Sequence, residues 1–335
     1  MKNHAADVVS EILRVLSASD RWLVLMHEKP DGDTAGCAIA LSSLGVRIGK
    51  DVILGCPEQF PQKYLFMLRG IQHRVLDRIP DDFSGERCVV VSMDTSNPER
   101  AVSGIEEARE RCTVINIDHH PDNTGYGHIN WVVPTASATG EMVTELLAGS
   151  EWGISPDEAN ALYAAIVTDN GNFCFPSSSS QSHECAVILV EAGAVPGDIA
   201  EELETNLSVN SLKLWGRVFE RATVFSDGFC AVFWIARSDF LETCTTRQDT
   251  ENLVNFLLRI KGVKLAALCG EGDDGVRVNL RSRFPMNARE VAARFGGGGH
   301  VLASGCTIRE PLKDALSALM AEMESHASSC LPSNK

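Results

Sequence analysis

The sequence predicts an α/β protein: an N-terminal parallel-sheet domain with flanking helices, then a smaller α/β domain. Three observations predict it. Short apolar runs alternate with helically spaced ones through the first half, as in a parallel sheet with crossover helices. The runs Trp22–Met26, Cys88–Met93 and Cys112–Ile117 then end abruptly in His27, Asp94 and Asp118-His119-His120. Carboxyl ends of strands are where open α/β sheets bind ligands. Beyond residue 226 the order changes to a strand, a helix and two strands joined by Glu271-Gly-Asp-Asp-Gly275, a connector with the residues of a hairpin turn.

Taken in order, residues 5–18 carry apolar residues at helical spacing and predict a helix. Strand 22–26 leads to the loop His27 to Asp33, and Thr34 to Leu44 is a helix of small residues suited to close packing. Val52-Ile-Leu is a short strand, and strand 87–93 leads to Asp94. A charged helix is expected over about Pro98 to Arg111, then strand 112–117. Helices follow at Ala138–Ala148, Pro156–Val167, Gln181–Ala192 and Pro196–Leu207, and another over 208–226. Then come strand Phe229–Ile235, helix Glu251–Ile260, strands from Lys264 and Val276, helix Ala288–Phe295, the loop Gly296–His300, strand Gly305–Ile308 and helix 311–325. These elements divide the chain into a metal-binding domain over 1–207, a linker helix over 208–226 and a substrate-binding domain over 227–327.

Composition narrows the function. With 44% hydrophobic and 22% charged residues among 335, the chain can bury sizeable cores. No apolar run approaches the ~18 residues of a membrane helix, and Met1-Lys-Asn-His lacks a secretory leader's apolar stretch. A cytoplasmic protein without a membrane partner is expected. Eleven scattered cysteines contain no Cys-x-x-Cys pair, which predicts reduced thiols, with neither a disulfide framework nor a structural zinc. A formal net charge of −15 opposes long nucleic acids, whose phosphates need Lys and Arg.

The chemistry lies in the strand ends. A further apolar run, Ala161 to Val167, ends in Thr168-Asp169-Asn-Gly171, so four segments deliver His or Asp. Singly, His27 reads as a loop residue, Asp31-Gly-Asp33 as a turn, Asp94 as a helix cap and Asp169-Asn-Gly171 as a turn. Together Asp31, Asp33, Asp94, Asp118 and Asp169 would repel if ionised around an empty site. Divalent cations resolve that, assembled from several loops of one sheet. Carboxylates with His27 and His119, and no thiolate, favour Mn²⁺, Fe²⁺ or Co²⁺, with Zn²⁺ and then Mg²⁺ behind. Two ions ~3.5–4 Å apart would polarise a phosphoryl oxygen and supply the nucleophile. In the last third, Arg277, Arg281, Arg283, Arg289 and Arg294 face only Glu290 in sequence, which suggests an anion site beside the glycine loop.

His27-x-x-x-Asp31-x-Asp33, Asp94, Asp118-His119-His120 and Thr168-Asp169-x-Gly-x-Phe173 resemble, in order, the motifs of the DHH phosphoesterase superfamily. Gly296-Gly-Gly-Gly-His300 after Arg281-Ser282 resembles its associated C-terminal domain. Over residues ~10–325 the chain is similar to the bacterial oligoribonuclease (nanoRNase)/pAp-phosphatase branch. The resemblance implies two Mn²⁺ per site, with Co²⁺ or Mg²⁺ as substitutes. His27, Asp31 and Asp94 would bind one ion; Asp33, Asp94, His119 and Asp169 the other, with Asp94 bridging. Asp118 would orient an imidazole, and His120 would face the scissile phosphate or protonate the leaving oxygen. Arg281, Ser282, Gly297, Gly298, Gly299 and His300 would bind substrate: short RNA or dinucleotides such as pGpG and pApA, and pAp, with both domains engaged on one ligand. A homodimer is allowed. Two features depart from the branch: Cys37 follows Gly36 where Ser is usual, and Cys174 stands where Arg is usual. The alternatives are a cyclic dinucleotide phosphodiesterase or a non-catalytic nucleotide-binding module.

Overall fold

The computed structural model describes residues 2–205, 207–250 and 253–330. The chain folds into two compact units, Met1–Thr205 and Asn206–Lys335.

The first unit is built on a six-stranded sheet. In chain order it contains α1 (Lys2–Ala18), β1 (Arg21–Leu25), α2 (Gly32–Arg47), β2 (Asp51–Cys56), β3 (His73–Val75), β4 (Cys88–Met93), α3 (Ile105–Arg109), β5 (Thr113–Asp118) and β6 (Ile129–Val132). Helices α4 (Thr139–Ala148), α5 (Pro156–Asp169), α6 (Ser180–Glu191) and α7 (Pro196–Glu204) follow. The strand order is β3-β2-β1-β4-β5-β6, with every pairing parallel. Strand β4 is buried along its whole length, which is why its run Cys-Val-Val-Val-Ser-Met lacks alternation. Trp22, Val24, Val89 and Val91 join a core with α1, α2, α4 and α5. Leu23, Leu25, Val90 and Val114 face the opposite side, covered by Ile79, Phe83, Ile105 and Ala108. The chain runs outward from β1 through β2 to β3, then returns to β4 on β1's other side. The crevice of such a sheet opens where the strand order reverses, here between the ends of β1 and β4.

The second unit contains α8 (Val209–Glu220), β7 (Thr223–Phe225), β8 (Cys230–Ile235), α9 (Arg237–Thr243), β9 (Leu265–Gly272), β10 (Gly275–Ser282), α10 (Ala288–Arg294), β11 (Gly298–Gly299), β12 (Ala303–Ile308) and α11 (Leu312–Cys330). Its sheet order is β11-β12-β10-β9-β8-β7, with β8–β9 parallel and the remaining pairs antiparallel. The Asp-Gly connector closes the β9–β10 hairpin, Gly272 pairing with Gly275. Helices α10 and α11 pack on one face of the sheet, and α8 on the other, with Leu214 and Val218 fully buried.

Several expected elements differ. The charged helix of 98–111 is a 3-10 turn, Pro98–Arg100, and the short α3; Gly104 at φ +92° separates them. The 208–226 segment is helical only as α8, which belongs to the second unit's core, and Thr223–Phe225 pairs as a strand. Helix 251–260 is a 3-10 segment over Leu253–Arg259, with Glu251 outside the described residues. The glycine loop is partly strand β11. Short β3, β6 and α9 were not anticipated. All eleven cysteines are free, and Cys88, Cys185, Cys230 and Cys269 are buried as expected. Among the described residues no helix is long and apolar enough to cross a membrane.

The α2–α5 contact places the two helix ends that matter below. A Cβ on Gly36 would lie 2.3 Å from the Ala161 carbonyl oxygen, and one on Gly32 2.2 Å from Thr168 Oγ1. Only glycine permits so close an approach. Gly36→Ala is expected to destabilise the protein by about 1–3 kcal/mol through overpacking, read by chemical denaturation. An unchanged midpoint would show that the helices give way freely.

Candidate metal centre

Four sequence motifs meet at the carboxyl edge of the first sheet. His27 follows β1, Asp94 follows β4, and Asp118 closes β5 ahead of His119 and His120. Asp31 caps α2, and Asp33 lies in its first turn. Asp169 arrives from a helix and not from a loop of the sheet. The run Ala161–Val167 belongs to α5, the helix expected over Pro156–Val167, and α5 ends on this carboxylate.

The ligand-type atoms converge. His27, Asp31 and Asp94 have one atom each within 4.8 Å of one another, as do Asp33, His119 and Asp169, and also Asp94, His119 and His120. His27 Nδ1 donates to the Glu28 carbonyl (2.7 Å). That leaves Nε2 3.7 Å from Asp31 Oδ2 and 3.5 Å from Asp94 Oδ2. His119 Nδ1 donates to the Ala136 carbonyl (3.1 Å). Its Nε2 lies 3.6 Å from Asp94 Oδ1 and 3.4 Å from Asp169 Oδ2. An imidazole fixed by a backbone carbonyl on one nitrogen, with the other aimed among carboxylates, is the arrangement of a metal ligand. The oxygen and nitrogen donors suit Mn²⁺ or a similar ion.

Each carboxylate is also positioned. Asp31 Oδ1 accepts from the Asp33 and Thr34 amides (3.1 Å each), leaving Oδ2 toward His27. Asp33 accepts from the Thr139 amide at Oδ2 (2.6 Å) and the Gly140 amide at Oδ1 (2.8 Å). Asp94 takes a left-handed φ of +52°, which aspartate tolerates. Asp118, completely buried, accepts from His120 Nδ1 (2.7 Å) at one oxygen and from Asn123 at the other. His120 is thereby turned so that Nε2 is left over.

Burial and like charge set the protonation of this cluster. Desolvation, then Asp94, Asp169 and Asp31, push the Asp33 carboxyl well above its ordinary range. Desolvation raises Asp169 to about 6. Burial opposes a charge on His27, but hydrogen bonds to Asp31 and Asp94 prevail and lift it to about 10. The hydrogen bond to Asp118 lifts His120 to about 9. Protons thus neutralise a centre that divalent ions would neutralise in their place.

The second unit presents the remaining site residues. Arg277, Asn279 and Arg281 alternate with buried Val276, Val278 and Leu280 along β10. Asn279 pairs with Gly305, which pairs with Gly298, so the sheet beside the arginines carries no side chains there. Arg281 is half-buried, and burial lowers its pKa from the ordinary arginine value. Among the described residues no carboxylate forms an ion pair with it. Gly297 and Gly299 run close against β12, and His300 is exposed where the hairpin turns. The arginine group is looser than its sequence spacing suggested. Arg289 and Arg294 lie on α10, on the opposite face from Arg281, and Arg294 pairs with Glu322 (3.4 Å). Ser282 also differs from expectation: buried, its hydroxyl donates to Val301 and accepts from the Ala288 amide. It braces the loop.

Sequence reading passed over Thr139, Gly140, the Ala136 carbonyl and Asn123. Ala136 and Gly140 act through backbone atoms, which leave no motif, and Thr139 and Asn123 act through common side chains that no spacing sets apart.

Comparison with known proteins places the chain in a family. The DHH family, N-terminal domain, matches residues 21–166, and the DHHA1 domain matches residues 230–328. The chain is 31% identical over 311 residues to the bifunctional oligoribonuclease and PAP phosphatase NrnA of Bacillus subtilis, covering 89% of this chain and 93% of that one. The protein of that name from Thermus thermophilus is 27% identical over 305 residues, covering 90% and 88%. A crystal structure of an exopolyphosphatase-related protein from Bacteroides fragilis shares the fold, with a TM-score of 0.88 at 23% identity over 97% of this chain and 98% of that one. Since both domains match in order and the relatives span nearly all of it, the chain belongs to the DHH family, in the oligoribonuclease and PAP phosphatase branch that carries a DHHA1 domain.

Proposed function

We propose that the chain is a Mn²⁺-dependent phosphodiesterase and phosphatase. It would hydrolyse short oligoribonucleotides and linear dinucleotides such as pGpG and pApA to mononucleotides, and pAp to AMP. The observation that carries this reading is the pair of carbonyl-fixed imidazoles, His27 and His119, aimed among Asp31, Asp33, Asp94 and Asp169. The names of the two NrnA relatives support the substrate class.

His27, Asp31 and Asp94 would hold one ion, and Asp33, Asp94, His119 and Asp169 the other. Asp94 turns one oxygen toward each imidazole, which suits a carboxylate shared by both ions. Two such ions, when bound, polarise a phosphoryl group and lower the pKa of a water. Asp118 holds His120 by Nδ1, so Nε2 carries the proton toward the phosphate or the departing 3′ oxygen. In the centre without ions the hydrogen bond to Asp118 raises the His120 pKa to about 9, so Asp118 favours the charged ring. Arg281 and His300, beside the bare glycine strip, would bind the nucleotide portion of the substrate. Ser282 supports that loop from below.

The direct test is release of mononucleotide from pGpG, read by chromatography, with Mn²⁺ and with EDTA. Turnover that survives complete chelation would exclude the metal centre. Asp94→Ala is expected to abolish hydrolysis and lower bound Mn²⁺, while His120→Ala keeps its metal and loses mainly kcat. Metal loss in the His120 variant would reverse the roles of the adjacent histidines. Arg281→Ala should cut kcat/KM on a dinucleotide by roughly 10²-fold, the 2–3 kcal/mol of a charged hydrogen-bond partner. Bis-p-nitrophenyl phosphate, which has no nucleotide to bind, should be hydrolysed nearly as before. Equal losses on both substrates would instead put Arg281 in the support of the fold.

A further inference from the structure

The residues 136–140, which lead into α4, touch three of the side chains assigned to the metal centre. The Ala136 carbonyl accepts from His119 Nδ1 (3.1 Å). The Thr139 and Gly140 amides donate to the two oxygens of Asp33 (2.6 and 2.8 Å). The Thr139 hydroxyl donates to Asp94 Oδ1 (3.0 Å). One residue therefore joins the carboxylate from α2 to the carboxylate that follows β4. Thr139 is completely buried, and Asp33 and Asp94 are nearly so.

The segment is itself held. The Ser137 amide and hydroxyl both donate to Glu141, and the Ser137 and Ser182 hydroxyls lie 3.1 Å apart. Glu141 and Ser182 are buried. The Thr139 hydroxyl is thus a fixed point, anchored through α4 and α6.

Its target matters because of how Asp94 is used. Asp94 Oδ2 faces His27 Nε2 (3.5 Å), and Oδ1 faces His119 Nε2 (3.6 Å). The carboxylate torsion of aspartate is broad and soft, so that two-sided presentation needs an outside constraint. Asp94's backbone is occupied elsewhere, its amide donating to the Ile117 carbonyl. The imidazoles around its side chain stand at 3.5–3.6 Å, His120 Nδ1 (3.5 Å) among them, whereas the Thr139 hydroxyl donates to Oδ1 at 3.0 Å from a fixed position.

We infer that Thr139 is a positioning residue of the metal centre: its hydroxyl holds Asp94 in the rotation that shows one oxygen to each histidine. The inference rests on the metal-centre reading and adds a residue to it. The two backbone donors to Asp33 survive any substitution at 139, so side-chain variants isolate the hydroxyl. Valine keeps the shape of threonine without the donor; alanine removes donor and methyl; serine keeps the donor alone.

The test is calorimetric titration of metal-stripped full-length protein with Mn²⁺, alongside thermal melting in EDTA. Thr139→Val should melt in EDTA near the wild type and bind Mn²⁺ roughly 10–100-fold more weakly, the usual loss on removing a residue that orients a ligand. Thr139→Ser should restore the affinity. The Mn²⁺ concentration for half-maximal pGpG hydrolysis should rise in the valine variant, with KM for pGpG unchanged at saturating Mn²⁺. Should valine fail to fold, Thr139→Ala reads the same hydroxyl against Thr139→Ser. Valine or alanine variants that bind Mn²⁺ like the wild type would overturn the inference, as would a serine variant as weak as they are. A wild type that binds no Mn²⁺ would overturn the metal centre itself.

Discussion

Mutual repulsion among buried carboxylates is the constraint on which the first unit depends. Asp33, Asp94 and Asp118 are each at most 1% exposed, with Asp31 and Asp169 beside them. No lysine or arginine among the described residues forms an ion pair with them. Such a group persists only if something supplies compensating charge or hydrogen bonds. The chain supplies part of it. Asp31 caps α2, and the first amides of α4 bind Asp33, so two helix amino termini point positive ends at the cluster. Burial and neighbouring carboxylates push the Asp33 carboxyl upward and its partners lift His27 to about 10, so the centre favours bound protons where cations could take their place.

The sheet makes this concentration of charge affordable in geometric terms. At the switch between β1 and β4, adjacent strand ends bring His27 and Asp94 together without crossing loops. Asp118 and its histidines enter from β5, the next strand. Helices α2 and α5 then close from one face, and their glycine contact determines how near Asp169 comes to Asp33. Packing far from polar chemistry therefore sets a distance within it. The second unit works on another plan: a mixed sheet whose paired glycines leave Arg281 beside a flat strip.

The legible parts of the sequence were those where polarity changes at a strand end. His27, Asp94 and Asp118-His119-His120 stood out because an apolar run stops and ligand-type residues begin. The parallel sheet was legible for the same reason. Asp169 was legible both as a residue and as the continuation of the helix expected over Pro156–Val167; what the sequence did not separate was a ligand from a helix end and ligands from the loops of the sheet. Thr139 and Ala136 were invisible because much of their work is done by backbone atoms. Arg289 and Arg294 looked clustered with Arg281 because neighbours in sequence are not neighbours in space when a strand gives way to a helix on the other face. The charged helix failed at Gly104, whose left-handed backbone stops what the charge pattern would continue.

The cap on α2 has a consequence for how such chains diverge. Asp31 divides its carboxylate, with Oδ1 closing the helix and Oδ2 turned to His27. An asparagine there would keep the acceptor that closes the helix and give up the anionic oxygen. A duplicated gene could take that step and still encode a folded chain, with the glycine strip and Arg281 untouched. Selection for folding alone would therefore not preserve the charge at residue 31, because the cap and the charge sit on different oxygens of one side chain.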